Sequence, residues 1–282
     1  MRIIGRTNTL RKVISRANRS GRTVGLVPTM GYLHDGHLSL VRRARKECDL
    51  VVVSIFVNPI QFGPGEDLGK YPRNFKRDSS LLKSLDVDII FAPSAGEMFP
   101  KGFSTFVEVP ELGKKLCGRT RPVHFRGVTT VVAKLFNIVS PDSAYFGRKD
   151  YQQLVIIKKM VKDLCMDVKV IGLPTVRESD GLAMSSRNSY LSPAERRSAA
   201  VIYRALKHSK ELAAKGVRSS GRIKSAMRRI ISSVRPGAKI EYLEICDPGT
   251  FEPKKNIDGP TLVAVAAFVG RARLIDNILI NP

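Results

Sequence analysis

Pro28, Thr29, Met30, Gly31, Tyr32, Leu33, His34, Asp35, Gly36 and His37 place two histidines three positions apart, with a glycine between them. An apolar β-type run containing Val24, Leu26 and Val27 precedes them, and Leu38, Leu40, Val41 and Ala44 follow at helical spacing. The histidines are therefore expected at a strand-to-helix turn. A helix N-terminus offers unpaired N–H groups and about half a positive charge, which suits a phosphate. Gly36 lets a nucleotide approach the backbone where a Cβ would block it. His34 and His37 project together from the first turn, and each can donate a hydrogen bond to a phosphoryl oxygen as charge develops there. The pattern reads as a signature of adenylate transfer. A helix cap or a metal site is the alternative, but a metal needs further ligands and no Cys or His lies close in sequence.

Other segments have the composition of partners to this turn. Ser54 to Phe62 ends an apolar run on Asn58 and Gln61. Ligands of open parallel sheets bind at strand carboxyl ends, so these amides are candidate readers of a substrate's polar groups, or else a turn cap. Gln61 could hold a carboxylate or hydroxyl through its NH₂ without a competing charge. Gly147, Arg148, Lys149 and Asp150 again follow a strand and open a helix. Lys149 can neutralise phosphate oxygens there, Asp150 can cap the helix, and Gln153 can face the pocket of Gln61. Met184, Ser185, Ser186, Arg187 and Asn188 form a loop without apolar periodicity. Its hydroxyls and guanidinium suit a triphosphate, as a mobile second signature paired with the H-x-G-H turn. The G-x-x-x-x-G-K-[ST] phosphate loop is absent.

The elements that must position these groups alternate. Residues 23–28, 50–57, 87–92, 143–146 and 168–172 read as strands, and 36–48, 74–85, 128–139 and 151–164 as helices. Val128, Val131, Val132, Leu135, Phe136 and Val139 fall on one helical face and read as core. This order predicts an α/β fold, a Rossmann-like doubly wound parallel sheet. After Pro174 the pattern changes. Ser192 and Pro193 open a long basic helical stretch as N-cap and first helical residue, a second helix follows over 223–234, and strands over 239–246, 261–269 and 272–280 complete a smaller α+β domain. The boundary is placed at 175, giving domains 1–175 and 176–282.

At 282 residues the chain can bury a substantial core, and its longest apolar runs, 51–57 and 262–269, are too short to cross a membrane. Cys48, Cys117, Cys165 and Cys246 are widely spaced and read as reduced thiols of a cytoplasmic protein. The first acidic residue is Asp35, a bias shared with transit peptides. Residues 10–17 nevertheless read as a helix before a first strand near Thr23, which leaves little room for a leader, so no targeting is expected. The net charge of +23 raises polyanion binding as a rival reading, and residues 196–239 hold 13 Lys/Arg against one acid, Glu211. No RNA-binding or zinc-finger pattern accompanies it, and a solvated basic face is the expectation.

Taken together, PTMGYLHDGH, VVVSIFVNPIQF, Tyr71-Pro72-Arg73, RPVHFRGV, FGRKDYQQL, GLPTVRESDGLAMSSRNSYL and GRARLIDN resemble the pantoate–β-alanine ligase family, within the H-x-G-H nucleotidyl transferases. The resemblance runs through nearly the whole chain. It implies ATP and Mg2+, with (R)-pantoate and β-alanine as the other substrates. Pantoate would attack the α-phosphorus to give pantoyl adenylate and pyrophosphate, and β-alanine would then displace AMP. It also implies a homodimer and a C-terminal domain closing over the site. His34 and His37 would stabilise the phosphates, with His37 matching the family's proton donor. Met30, Gly31, Tyr32, Leu33, His34, Asp35, Gly36 and His37 would form one wall of the ATP site. Gly147, Arg148, Lys149, Asp150, Val176, Met184, Ser185, Ser186 and Arg187 would complete it. Gln61 and Gln153 would hold pantoate beside Asn58, with Arg121 and His124 near the pocket.

Two positions depart from the family pattern. Arg148 stands where Glu or Gln is usual, and Arg77-Asp78 stands where some relatives carry paired acids. Asp78 is the candidate metal ligand, with magnesium otherwise held by the phosphates. The alternative function is another adenylyl or cytidylyl transferase of this fold, against which the two glutamines count. Sequence-specific nucleic-acid binding is not expected.

Overall fold

The computed structural model describes residues 1–281, and the chain divides into two units. The first comprises Met1–Lys114, Gly118–Arg148 and Gln152–Pro174; the second comprises Lys115–Cys117, Lys149–Tyr151 and the chain from Thr175 onward.

In the first unit, β1 (Arg2–Ile4), β2 (Val24–Thr29), β3 (Leu50–Ile55), β4 (Ile89–Phe91), β5 (Ser143–Gly147) and β6 (Lys169–Leu173) form a parallel sheet in the order β1-β4-β3-β2-β5-β6. The chain runs outward from β2 through β3 and β4, then returns to the other side of β2 at β5. The carboxyl ends of β2 and β5 flank this change of direction, the position at which open α/β sheets bind ligands.

The helices of the unit are α1 (Thr7–Arg19), α2 (Asp35–Glu47), α3 (Phe75–Lys83), α4 (Ala95–Met98), α5 (Pro110–Gly113), α6 (His124–Val139) and α7 (Tyr151–Asp163). Both sheet faces are buried, so the strands read as continuous apolar runs rather than alternating ones. Leu50 and Val52 pack in one cluster with Leu10, Ile14 and Val132, from α1 and α6. Val51 and Val53 pack in the other with Val41 and Ala44 of α2 and Leu82 of α3. Each such aliphatic side chain contributes roughly 1.5–3 kcal/mol on burial.

The second unit carries α8 (Pro193–Ala199), α9 (Val201–Ala214) and α10 (Ser220–Ser232) beside an antiparallel sheet, β7 (Ala238–Cys246), β8 (Thr261–Val269) and β9 (Ala272–Ile280). Ser192 caps α8 reciprocally with Glu195, and Pro193 opens the helix as expected. Ile202, Leu206, Ile223 and Met227 pack with Val263, Val265 and Leu274 in one core.

The doubly wound parallel sheet and the smaller α+β unit agree with the sequence reading. Two details are corrected. The fold's first strand is β1, not the run near Thr23; with three residues it shows no usable period, and its pairing with β4 lies far along the chain. Helix α6 begins at His124, four residues before the apolar stripe that marked it, because its first turn, His124 to Gly127, has Phe125 as its single large apolar residue. No helix among the described residues is long and apolar enough to cross a membrane.

Candidate active site

Strand β2 ends in a tightly specified turn. Thr29 donates its hydroxyl to the Ser54 carbonyl at 2.7 Å and accepts from Gly31 N–H at 3.2 Å. Gly31 and Tyr32 then take left-handed conformations, φ +82° and +50°. For Tyr32 that conformation is unfavourable unless its surroundings enforce it. Asp78, from the first turn of α3, does so. Its Oδ2 accepts from Tyr32 N–H at 2.7 Å and its Oδ1 from Leu33 N–H at 2.8 Å. Its neighbour Arg77 donates to the Leu33 carbonyl at 2.9 Å and lies over the Tyr32 ring, 5.7 Å from the centroid. Asp78 is only 1% exposed, so these N–H groups take the place of water around its carboxylate.

The turn delivers both histidines to the start of α2. His34 is the N-cap, and its Nδ1 accepts from Gly36 N–H at 3.1 Å. His37 Nδ1 accepts from His34 N–H at 3.4 Å, and the ring centroids stand 4.1 Å apart. With both Nδ1 atoms acting as acceptors, each neutral ring carries its proton on Nε2. The pair is thus set as two Nε2–H donors at a positive helix end, the arrangement expected from their spacing.

The carboxyl end of β3 supplies the amides. Asn58 donates from Nδ2 to Gln61 Oε1 at 2.9 Å and to the Gly127 carbonyl at 3.0 Å. Gln61 Nε2 meets Met30 Sδ at 3.1 Å, a weak acceptor that leaves a strong donor for a better one. Asn58 is 1% exposed and its Oδ1 has no partner among the described residues. A buried amide oxygen left unpaired is costly, and a bound hydroxyl or ammonium would relieve it. Helix α6 seals this corner. A Cβ on Gly127 would stand 2.4 Å from the Ile60 carbonyl oxygen and 2.5 Å from Gln61 Cα. His124 donates from Nδ1 to the Gln61 carbonyl at 3.0 Å, and Arg121 pairs with Glu66 through Nε at 3.0 Å and through Nη2.

The structure thus joins Met30, Gln61 and Asn58 on one side and His34 and His37 on the other end of the same turn, with Arg121 and His124 at the Gln61 carbonyl. Gly147 closes β5, Arg148 donates to the Gly172 carbonyl at 3.1 Å, and Asp35 is exposed. Gln153 is half-buried in the first turn of α7, and among the described residues no hydrogen bond joins it to Gln61. In the second unit, Lys149 lies 3.7 Å from Asp150. Val176 accepts from Met184 N–H at 3.0 Å, and Ser185 caps the turn Ser186–Tyr190 through Arg187 N–H at 3.2 Å. Arg196 pairs with Glu178 and Asp180 before this loop and holds the Asp180 carboxyl below the usual carboxylate range.

Asp78, the candidate metal ligand, is engaged by the backbone. Both of its oxygens are spent on backbone N–H groups, and no group of three or more His, Cys, Asp or Glu among the described residues could hold a metal ion. The donor set does not fit a resident cation. The loop-holding role of Asp78 could not be read from sequence, since its partners lie 45 and 46 residues away. Its acidic character at a helix start was the one visible signal.

Residues 2–279 match the model of a family described as pantoate-beta-alanine ligase. Pantothenate synthetase of Thermotoga neapolitana is 56% identical over 281 residues, covering 100% of both chains. The solved pantothenate synthetase of Thermus thermophilus superposes with a TM-score of 0.95 at 48% identity, covering 100% of both chains. Pantoate-beta-alanine ligase from Francisella tularensis, complexed with beta-gamma ATP and beta-alanine, gives a TM-score of 0.82 at 34% identity, covering 99% of this chain and 97% of that one.

Proposed function

The chain belongs to the pantoate–β-alanine ligase family, and we propose that it joins (R)-pantoate to β-alanine through a pantoyl-adenylate intermediate. A carboxylate cannot form an amide directly, because the oxygen to be expelled is a very poor leaving group. In the first step a pantoate carboxylate oxygen bonds to the α-phosphorus of ATP, the bond to the bridging oxygen breaks, and pyrophosphate leaves. In the second the amine of β-alanine attacks the acyl carbon, the acyl–oxygen bond breaks, a proton leaves the nitrogen, and AMP departs. No covalent enzyme intermediate is needed, so catalysis rests on positioning and charge stabilisation.

The observation that supports this reading is the contact of Gln61 Nε2 with Met30 Sδ, an uncharged carboxylate reader beside the turn that carries His34 and His37. We assign the Nε2–H groups of His34 and His37 to the phosphoryl oxygens, and the amides of Gln61, Asn58 and Gln153 to pantoate. Gly147, Arg148, Lys149, Asp150, Val176, Met184, Ser185, Ser186 and Arg187 are assigned to ATP, as in the family pattern. Magnesium is taken to arrive on the ATP phosphates as part of the substrate, since the described residues offer no cage for it. A cytoplasmic homodimer completes the proposal, and light scattering coupled to gel filtration tests the second part. The test of the reaction is AMP release from ATP: it should require both pantoate and β-alanine, and release that ignores either acid would overturn the assignment.

A further inference from the structure

Two adjacent residues of the GRARLIDN segment, Asp276 and Asn277 on β9, hold the second unit's nucleotide-assigned segments. Asp276 is 5% exposed. Its Oδ2 accepts from Arg177 Nη1 at 2.6 Å and its Oδ1 from Arg177 Nη2 at 2.9 Å, a two-pronged pair that fixes orientation as well as distance. Oδ1 also accepts from Asn277 N–H at 2.8 Å. Asn277 in turn donates from Nδ2 to the Lys149 carbonyl at 2.8 Å, across 128 residues of sequence.

Arg177 is itself held from other sides. Its guanidinium stacks 4.0 Å from the centroid of the Tyr203 ring, and Nη1 donates to the Gly181 carbonyl at 3.0 Å. It sits in a short antiparallel turn in which Arg177 bridges Ala183, Glu178 N–H donates to Leu182, and Met184 N–H donates to Val176. That turn runs straight into Met184, Ser185, Ser186 and Arg187. Gly181 is left-handed at φ +90°, and a Cβ there would strike the Tyr203 ring at 2.1 Å, so the turn has little room to drift.

We propose that Asp276 and Asn277 are positioning residues for the nucleotide. Asp276 sets the turn before Met184–Arg187 through Arg177, Asn277 sets Lys149 through its carbonyl, and their adjacency on β9 locks the two segments in one frame. This rests on the assignment of Lys149 and the 184–187 loop to ATP. Neither residue touches the substrate in this account. Their removal therefore acts through the placement of groups that do, where displacement by about 1 Å can cost up to 10²-fold.

The test is steady-state kinetics on the full chain, with the KM of ATP, pantoate and β-alanine measured separately. Asn277→Ala removes the hydrogen bond to the Lys149 carbonyl at a half-buried site and should fold. It is expected to raise the KM of ATP about tenfold, leave those of pantoate and β-alanine within twofold, and shift thermal melting little. Asn277→Asp, which cannot donate to the Lys149 carbonyl, should do at least as much. Asp276→Asn removes the charge that pairs with Arg177 and can fail by unfolding, so the Asn277 variants carry the decision. Lys149→Ala run alongside separates the two levels. A tenfold or larger rise in its ATP KM with none for either Asn277 variant overturns this inference alone. An unchanged ATP KM in all three overturns the nucleotide assignment with it. A uniform loss across all substrates, tracking a lowered melting temperature, would show a purely structural role and refute positioning.

Discussion

Replacing Asp78 by Asn separates a loop-holding carboxylate from a metal ligand. The substitution keeps shape and volume but exchanges one oxygen for an NH₂ group. Tyr32 N–H and Leu33 N–H stand 2.7 and 2.8 Å from the two carboxylate oxygens, so one must then face a donor. A hydrogen bond to a charged acceptor contributes about 1.5–3 kcal/mol, and a buried donor left unpaired costs about 1–3 kcal/mol. Allowing for relaxation of a partly exposed turn, a working figure is about 3 kcal/mol. At about 1.4 kcal/mol per factor of ten, the population with both histidines correctly presented falls roughly 100-fold. The loss should fall on adenylation rather than on folding, because the apolar clusters of the sheet are untouched. The assay is kcat/KM for ATP with pantoate saturating, at several magnesium concentrations, with circular dichroism as the control. The expected result is a fall of roughly 100-fold that added magnesium does not repair. Activity close to that of the unmodified chain, or restored by excess magnesium, would refute the reasoning.

Four further outcomes follow from the sequence and the geometry. His37→Ala removes an Nε2–H donor aimed at developing phosphate charge and should lower kcat by about 10²–10³ without unfolding the chain, whereas Gln61→Ala should raise the KM of pantoate and leave ATP binding, measured by calorimetry, nearly intact. Gly127→Ala should destabilise the first unit by about 1–3 kcal/mol in thermal melts and weaken pantoate use, because its Cβ meets backbone of Ile60 and Gln61 that cannot rotate away. Arg222, Arg228 and Arg229 lie on α10, the last two of them with Arg222 among its solvent-facing positions, so changing all three to Gln should reduce retention on DNA at low salt and hardly alter turnover; in the unmodified chain retention should vanish near physiological salt, where screening limits surface charge to about 8 Å.

The elements that carry the site were legible because each is local. A run such as Leu50 to Ile55 is apolar on both faces, and Leu38, Val41 and Ala44 mark the helix behind the histidines within a few residues of His37. Asn58 and Gln61 were visible as polar residues closing an apolar run, while the hydrogen bond between them is seen only in the structure. What escaped is what only the tertiary structure brings together. Strand β1 is three residues long and is recognisable only by its partner Ile89–Phe91. Asp78 was a candidate ligand because it stands where some relatives carry paired acids, and only its two backbone partners reveal its work. The link from Asn277 to Lys149 spans most of a domain's length of chain and leaves no periodic trace.

The central claim is that pantoate alone is activated on ATP before any amine takes part. Isotope exchange between pyrophosphate and ATP measures that half-reaction directly. Exchange should appear with pantoate and no β-alanine, and β-alanine without pantoate should support none. Exchange that strictly requires β-alanine would contradict the two-step account.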